Sequence, residues 1–304
     1  SMKLTVATCQ FPVDADIGRN CDHTLRLMRT AKARGATVAH FCECSLSGYA
    51  TADIESTAAI DWDLLSSASN RVLEAASQLG IWVIFGSTHR LSGSHRPHNS
   101  LFIVDPRGAI IDRYDKRFCA GADENSGELA QYSPGDHTSV FSIEGIRCGT
   151  LVCHEYRYPE LYRQYKQLGV QLVFHSFHAA HVSPESAEAG RAYVGSSRGF
   201  GAGASLPEIT MPATMKAAAA ANHLWISCPN SSARESCWPS FFVRPDGVIT
   251  GRLRRHMTGM LISEVDTEQD LYDSTAAWRD RAMRGILHSG NLVQDRRSRV
   301  RTEL

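Results

Sequence analysis

Short apolar runs along this chain alternate with longer stretches in which apolar residues recur every three or four positions. The runs at 4–11, 38–42 and 82–86 predict β-strands, because β-branched and apolar residues crowd into windows too short for a helix. Between them, 20–33 and 64–79 carry the i, i+3, i+4 spacing of amphipathic helices. Two further runs, 100–104 and 109–114, flank Asp105-Pro106-Arg107-Gly108. Pro followed by Gly at turn positions predicts a hairpin there.

The second half repeats the order. It reads as a strand at 146–153, a helix at 159–168, a strand at 172–177, an Ala-rich helix at 214–223 and a strand at 224–228. A hairpin of 241–243 and 248–252 follows, around Arg244-Pro245-Asp246-Gly247. A strand–helix–strand–helix–strand–hairpin unit used twice predicts an α/β fold of two mixed sheets packed face to face, with helices outside. No linker separates the halves, so 1–290 reads as a single domain and 291–304 as a charged C-terminal arm. The polar loop 121–134 joins the halves. The stretch 179–212, rich in Gly, Ser and Ala, reads as a lid or an inserted helix.

Composition narrows the function classes. Apolar residues make up 43% of the chain and charged residues 21%, which is ordinary for a globular protein. Lys plus Arg equals Asp plus Glu at 32 each, so no basic field exists to bind nucleic acid or an anionic membrane. No run approaches the length of a membrane span. The first residues lack the pattern of a signal peptide, and Ser1 before Met2 looks like an expression scar. Nine cysteines without a C-x-x-C pair argue against a disulfide framework, and a cytoplasmic setting is the default expectation.

Reactive groups in open α/β sheets gather at the carboxyl ends of strands. Glu43 follows one strand, in Phe41-Cys42-Glu43-Cys44-Ser45-Leu46-Ser47-Gly48-Tyr49. Lys116 ends the first hairpin, in Tyr114-Asp115-Lys116-Arg117, and Cys153 ends another strand, in Val152-Cys153-His154-Glu155-Tyr156-Arg157-Tyr158-Pro159-Glu160. A thiol with a pKa of about 8.5 is mostly protonated at neutral pH and needs a base. A buried carboxylate can take its proton, and a fixed ammonium with a backbone N–H can stabilise an oxyanion.

On these motifs the chain resembles the nitrilase superfamily of carbon–nitrogen hydrolases, from about Lys3 to about Gly290, in the family's order. The resemblance maps the family's catalytic glutamate to Glu43, its lysine to Lys116 and its nucleophilic cysteine to Cys153. Its second glutamate maps to Glu128, in Gly127-Glu128-Leu129-Ala130-Gln131-Tyr132-Ser133-Pro134-Gly135. It implies an αββα sandwich, a homodimer or higher homo-oligomer, and hydrolysis through a thioester without metal or organic cofactor. Arg157-Tyr158-Pro159-Glu160 is similar to the amidase and carbamoylase branches, which implies a small amide or N-carbamoyl substrate. His154 stands where true nitrilases usually carry Trp, although Glu155 matches the nitrilase pattern. Nitrile hydrolysis, acyl transfer to an amine and a catalytically silent scaffold on the same fold remain alternatives. The chain departs from the family at Ala218 and Ala221, where many members carry Arg and Glu, and in the length of 179–212.

Tyr49, His154, Arg157 and His178 are the candidate substrate contacts, with Arg157 suited either to a substrate carboxylate or to local structure. Asn230 and Trp238 are placed near the pocket by position alone. Cys42 and Cys44 flank Glu43 without enough partners for a thiolate metal site. His175, His178 and His181 form an H-x-x-H-x-x-H array. Steps of three turn a helix by about 300° each, so they would not share a face, and lining a pocket is a better reading than zinc.

Overall fold

The computed structural model describes residues 2–195 and 205–303. Twelve strands among these residues form two six-stranded sheets. In chain order the first half supplies β1 (Lys3–Gln10), α1 (Ile17–Ala33), β2 (Val38–His40), α2 (Trp62–Leu79), β3 (Trp82–His89), β4 (His98–Val104) and β5 (Ile110–Asp115). The second supplies β6 (Val140–Ile143), β7 (Ile146–Val152), α3 (Pro159–Gln167), β8 (Leu172–Ser176), α4 (Pro184–Val194), α5 (Leu206–Asn222), β9 (Trp225–Cys228), β10 (Phe241–Val243) and β11 (Ile249–Arg252). The chain ends through β12 (Gly259–Asp266) and two short helices, α6 (Arg279–Met283) and α7 (Arg296–Arg299).

The sheets run β12-β1-β2-β3-β4-β5 and β6-β7-β8-β9-β10-β11, so they are topological copies. In each, three parallel strands form the centre and antiparallel neighbours close both sides. The expected duplication is therefore present. The two hairpins match in detail. Gly108 (φ +82°) and Gly247 (φ +86°) each back onto a helix, with the position of a Cβ 2.5 Å from the Leu73 carbonyl oxygen and 3.0 Å from that of Lys216. Only glycine fits such a turn under such a helix.

Alternation along the strands sorts side chains into layers. Leu4, Val6, Val38, Ile84 and Ile103 point between the sheets and join the apolar residues of β7–β9 in one core. Ala7, Cys9, Ala39, Val83 and Phe85 face the other way, against α1 and α2. Polar bridges also cross between the sheets: Thr8 Oγ1 lies 2.8 Å from Ser227 Oγ, and His40 reaches Ser227 and Ser176 at 2.8 Å each. Burial holds His40 well below the ordinary imidazole range, so it is a neutral link.

Several expected boundaries shift for physical reasons. The strand expected at 38–42 stops at His40, because the Glu43 N–H turns to the carbonyl of Phe177, the residue just past β8, 3.1 Å away. The strand expected at 146–153 stops at Val152, and Cys153 opens a 3-10 turn, Cys153–Arg157. The Ala-rich helix expected to begin at 214 begins at Leu206, where the Glu208 carboxylate accepts the Ser205 N–H at 3.1 Å. Pro212 sits inside this helix and does not bound it. The inserted-helix reading of 179–212 corresponds to α4, while 196–204 lie outside the described residues.

Candidate active site

Glu43, Lys116 and Glu128 come together from two loops, the one after β2 and the long one between β5 and β6. Lys116 follows β5, and its N–H bonds to the Asn99 carbonyl of β4 at 2.8 Å. Glu43 sits in the turn after β2. Gly86 of β3 makes that turn possible: a Cβ there would lie 2.3 Å from the Cys42 carbonyl oxygen and 2.4 Å from the Cys44 nitrogen. Glu128 occupies a 3-10 turn, Gly127–Ala130, in the polar loop.

The Lys116 ammonium is 2.8 Å from Glu43 Oε1 and 2.6 Å from Glu128 Oε1. Exposure is 1% for Glu43 and Lys116 and 6% for Glu128, so these charges are out of water. Glu43 Oε1 also accepts from Asn99 Nδ2 at 2.7 Å. Glu128 Oε2 accepts the Ala120 N–H at 2.7 Å, and its other oxygen takes the Tyr49 hydroxyl. Glu43 Oε2 is buried and makes no hydrogen bond. A buried unpaired acceptor is uncommon and carries a penalty of about 1–3 kcal/mol. It is the one oxygen of the cluster free to take a proton.

Cys153 lies beside this cluster at the sharp end of β7, with φ +38°, a region that non-glycine residues rarely enter. Its thiol donates to the His178 carbonyl at 3.8 Å. Burial pushes the thiol well above its ordinary range, with the Glu43 charge adding to the effect and Lys116 opposing it. Burial also raises the Glu43 carboxyl, against the pull of Lys116. For Lys116, burial favours the neutral amine, but Glu128 and Glu43 outweigh it and hold the ammonium well above its ordinary range. Glu128 is lowered because Lys116 more than offsets its burial. The resting arrangement is thus a neutral thiol, a fixed cation, a firmly ionised Glu128, and a Glu43 disposed to accept a proton.

The expected contact residues divide. Tyr49 commits its hydroxyl to Glu128 and stacks on His178 at 5.1 Å. His178 places Nε2 2.7 Å from Asp53 Oδ2. His154 is half-buried, 3.3 Å from the Tyr158 hydroxyl. Arg157 is exposed, with its guanidinium 4.9 Å above the Tyr156 ring. Asn230 ties loops together, bonding Ala179 and the Trp238 carbonyl. Trp238 stands edge-on to Phe177.

Glu155 is a strut. Fully buried, it accepts from the Tyr114 hydroxyl at 2.7 and 2.8 Å, from Arg117 N at 2.6 Å, from Phe118 N at 3.2 Å and from Val152 N at 2.9 Å. It thereby joins the chain after Lys116 to the residue before Cys153. Asn99 and Asp53 are the site residues that the sequence did not single out, since neither belongs to a recognisable motif. A cavity of about 600 Å³ opens between α4, the start of α5 and the 235–237 loop, and its lining includes Arg191, Glu208, Cys237 and Arg255 but neither Cys153 nor Glu43. All nine cysteines are free thiols. Among the described residues, no group of three or more His, Cys, Asp or Glu is arranged to hold a metal ion.

Comparison with known proteins agrees with this geometry. The sequence profile of the carbon–nitrogen hydrolase family matches residues 5–270. An omega-amidase of Xenopus tropicalis is 26% identical over 175 residues, 56% of this chain and 62% of that protein. A 2-oxoglutaramate amidase of Bacillus subtilis is 25% identical over 175 residues, 57% of this chain and 64% of that protein. Both alignments span less than two thirds of the relatives' own length. An amidase from Nesterenkonia sp. superposes with a TM-score of 0.69 at 21% identity, covering 94% of this chain and 96% of that one, and so shares the fold. With the profile spanning nearly all of the two-sheet sandwich and the buried Glu–Lys–Glu cluster beside a strained cysteine, this chain belongs to the carbon–nitrogen hydrolase family.

Proposed function

We propose that the protein hydrolyses a small amide or N-carbamoyl compound through a Cys153 thioester. The observation that carries this reading is the unpaired, buried Glu43 Oε2 in a cluster that also fixes Lys116 beside the thiol. Cys153 Sγ attacks the substrate carbonyl carbon while Glu43 Oε2 takes the thiol proton. Because the thiol is held well above its ordinary range, proton transfer accompanies attack instead of preceding it. An ammonium has three N–H donors, and Glu43 and Glu128 occupy two of those on Lys116. The third serves the oxyanion, together with the backbone N–H of His154 at the start of the turn.

Glu43 then returns its proton to the leaving nitrogen, and ammonia or an amine departs. Water attacks the thioester while Glu43 takes its proton; the C–S bond then breaks, the Cys153 sulfur regains that proton from Glu43, and the acid is released. Glu128 holds Lys116 in place throughout. Amides and N-carbamoyl compounds present the same terminal carbonyl–nitrogen group to these residues, and the names of the aligned relatives favour amides. Glu155, the feature shared with nitrilases, is occupied by five donor contacts within the fold and supplies no reason to prefer nitriles.

A homodimer belongs to the same proposal. Tyr272, Leu287, Leu292 and Val293 are 78%, 83%, 67% and 68% exposed, and sedimentation tests whether a second copy covers them. Among the described residues, no helix is long and apolar enough to cross a membrane. The test of the activity is ammonia release over a panel of amides, ω-amides, N-carbamoyl compounds and nitriles, with Cys153→Ala as the blank. Release from one class, lost in the variant, supports the proposal; release that survives Cys153→Ala overturns it.

A further inference from the structure

The histidines at 175, 178 and 181 lie where β8 ends and the chain runs on toward α4. His175 has partners of its own, whereas His178 and His181 share Asp53. His175 is fully buried, stacked on Phe177 at 4.3 Å and 6°, and its Nε2 lies 3.0 Å from the carbonyl oxygen of Cys153. The Tyr162 hydroxyl bonds to its Nδ1. Burial holds His175 at about 3, so the ring is neutral and carries one N–H. A carbonyl only accepts, so that proton is on Nε2 and the Tyr162 hydroxyl donates to Nδ1. The tautomer is fixed by its two partners.

His178 meets the same cysteine from the other side, because its carbonyl accepts the Cys153 thiol at 3.8 Å. Its ring is pinned by Asp53 Oδ2 at 2.7 Å and by stacking on Tyr49. His181 Nε2 lies 3.1 Å from Asp53 Oδ1, and Asp53 Oδ2 also takes the Tyr49 N–H at 2.8 Å. Asp53 therefore ties the loop after Glu43 to the segment that touches the nucleophile. A non-glycine residue at positive φ is disfavoured and persists only where its surroundings fix it. Cys153, at φ +38°, is fixed at its carbonyl by His175 and at its thiol by the backbone of His178.

We propose that the three histidines are positioning residues for Cys153: His175 holds its backbone, and His178, anchored through Asp53 and His181, holds its thiol facing Glu43. This rests on Cys153 being the nucleophile, and the test separates the two. His175→Gln keeps an N–H donor near the Nε2 position, whereas His175→Leu removes it at similar bulk. Asp53→Ala releases the anchor of His178, and His181→Ala removes a partly exposed part of it. Each variant is checked for secondary structure and thermal midpoint. It is then assayed for the rate of Cys153 alkylation by iodoacetamide, read by peptide mass, and for kcat and KM on the best amide.

A misplacement of about 1 Å lowers rate about a hundredfold, so His175→Leu and Asp53→Ala are expected to lose about 10–100-fold in kcat with little change in KM. Alkylation of Cys153 slows in parallel. His175→Gln restores most of both, and His181→Ala shows a smaller loss of the same kind. Wild-type kcat and alkylation in folded His175→Leu overturn the proposal, as do equal losses in the Gln and Leu variants, which indicate packing alone. If His175→Leu fails to fold, the contrast between His175→Gln and His181→Ala decides: a wild-type His181→Ala overturns the anchor. If the wild type turns over no amide, the proposed activity fails, while alkylation rates still decide the positioning roles.

Discussion

Replacing Lys116 with Met tests whether the buried cluster is held by charge or by packing. Met keeps most of the volume and removes the ammonium, with its bonds of 2.8 and 2.6 Å to Glu43 and Glu128. Two carboxylates at 1% and 6% exposure then share a site without a cation. Removing one partner of a buried ion pair destabilises by about 3–5 kcal/mol, which for a chain of this size lowers Tm by about 5–8 °C. The pH dependence identifies the cause. Without Lys116 both carboxyls are raised, so the folded state binds protons more tightly than the unfolded chain and gains stability as pH falls. The Tm deficit relative to wild type is therefore largest near pH 8 and shrinks toward pH 5, at 1.36 kcal/mol for each unit of upward pKa shift. Differential scanning calorimetry of both proteins at four pH values measures this. A deficit that is the same at every pH would refute the electrostatic account and assign the loss to packing.

The remaining predictions follow from single contacts. Glu43→Gln keeps the Asn99 and Lys116 contacts possible but removes the proposed base, and kcat for amide hydrolysis should fall by about 10²–10⁴-fold in steady-state assays while the fold is retained. In the wild type, because the Glu43 carboxyl is raised by burial, kcat/KM should fall on the acid side at a pH above the ordinary glutamate range, and a fall only below pH 4 would contradict the assignment. Gly86→Ala places a methyl within 2.4 Å of two backbone atoms of the Glu43 turn, so it should destabilise by about 1–3 kcal/mol or more and reduce activity. Glu155→Gln sets a side-chain amide among O–H and N–H donors, and should lower stability by about 1–3 kcal/mol in urea titration.

The sandwich was legible because its central strands are short, apolar and separated by amphipathic helices, and because the two Pro-x-Gly hairpins mark matching places in the repeat. The edge strands β6 and β12 were not. β6 has four residues, and β12 carries Ser263 and Glu264 and finds its place only by pairing Gly259 to Asp266 against Gln10 to Lys3, at the far end of the chain. No local periodicity encodes such a partner. The start of α5 was not legible in the Ala-rich run that marks its second half; the helix begins eight residues earlier, with Pro207 in the first turn, where its missing N–H is harmless.

In the site the same division holds. Glu43, Lys116 and Cys153 were legible through the motifs around them, and Glu128 through the Pro134-Gly135 register. Asn99 and Asp53 were not, because each acts through a contact that spans the fold: Asn99 lies 56 positions from Glu43 and Asp53 lies 125 from His178. Glu155 was read as a mark of substrate class, yet its oxygens face only donors of the fold. The H-x-x-H-x-x-H array invited a metal reading because its chemistry is that of good ligands. In the fold each ring nitrogen toward a partner meets an oxygen or a hydroxyl, and the array crosses from the backbone of Cys153 to the loop that follows Glu43. A motif names the reacting atoms, whereas the groups that orient them are set by tertiary contact, and variants of Asp53 and His175 therefore report on the site as directly as variants of the motif itself.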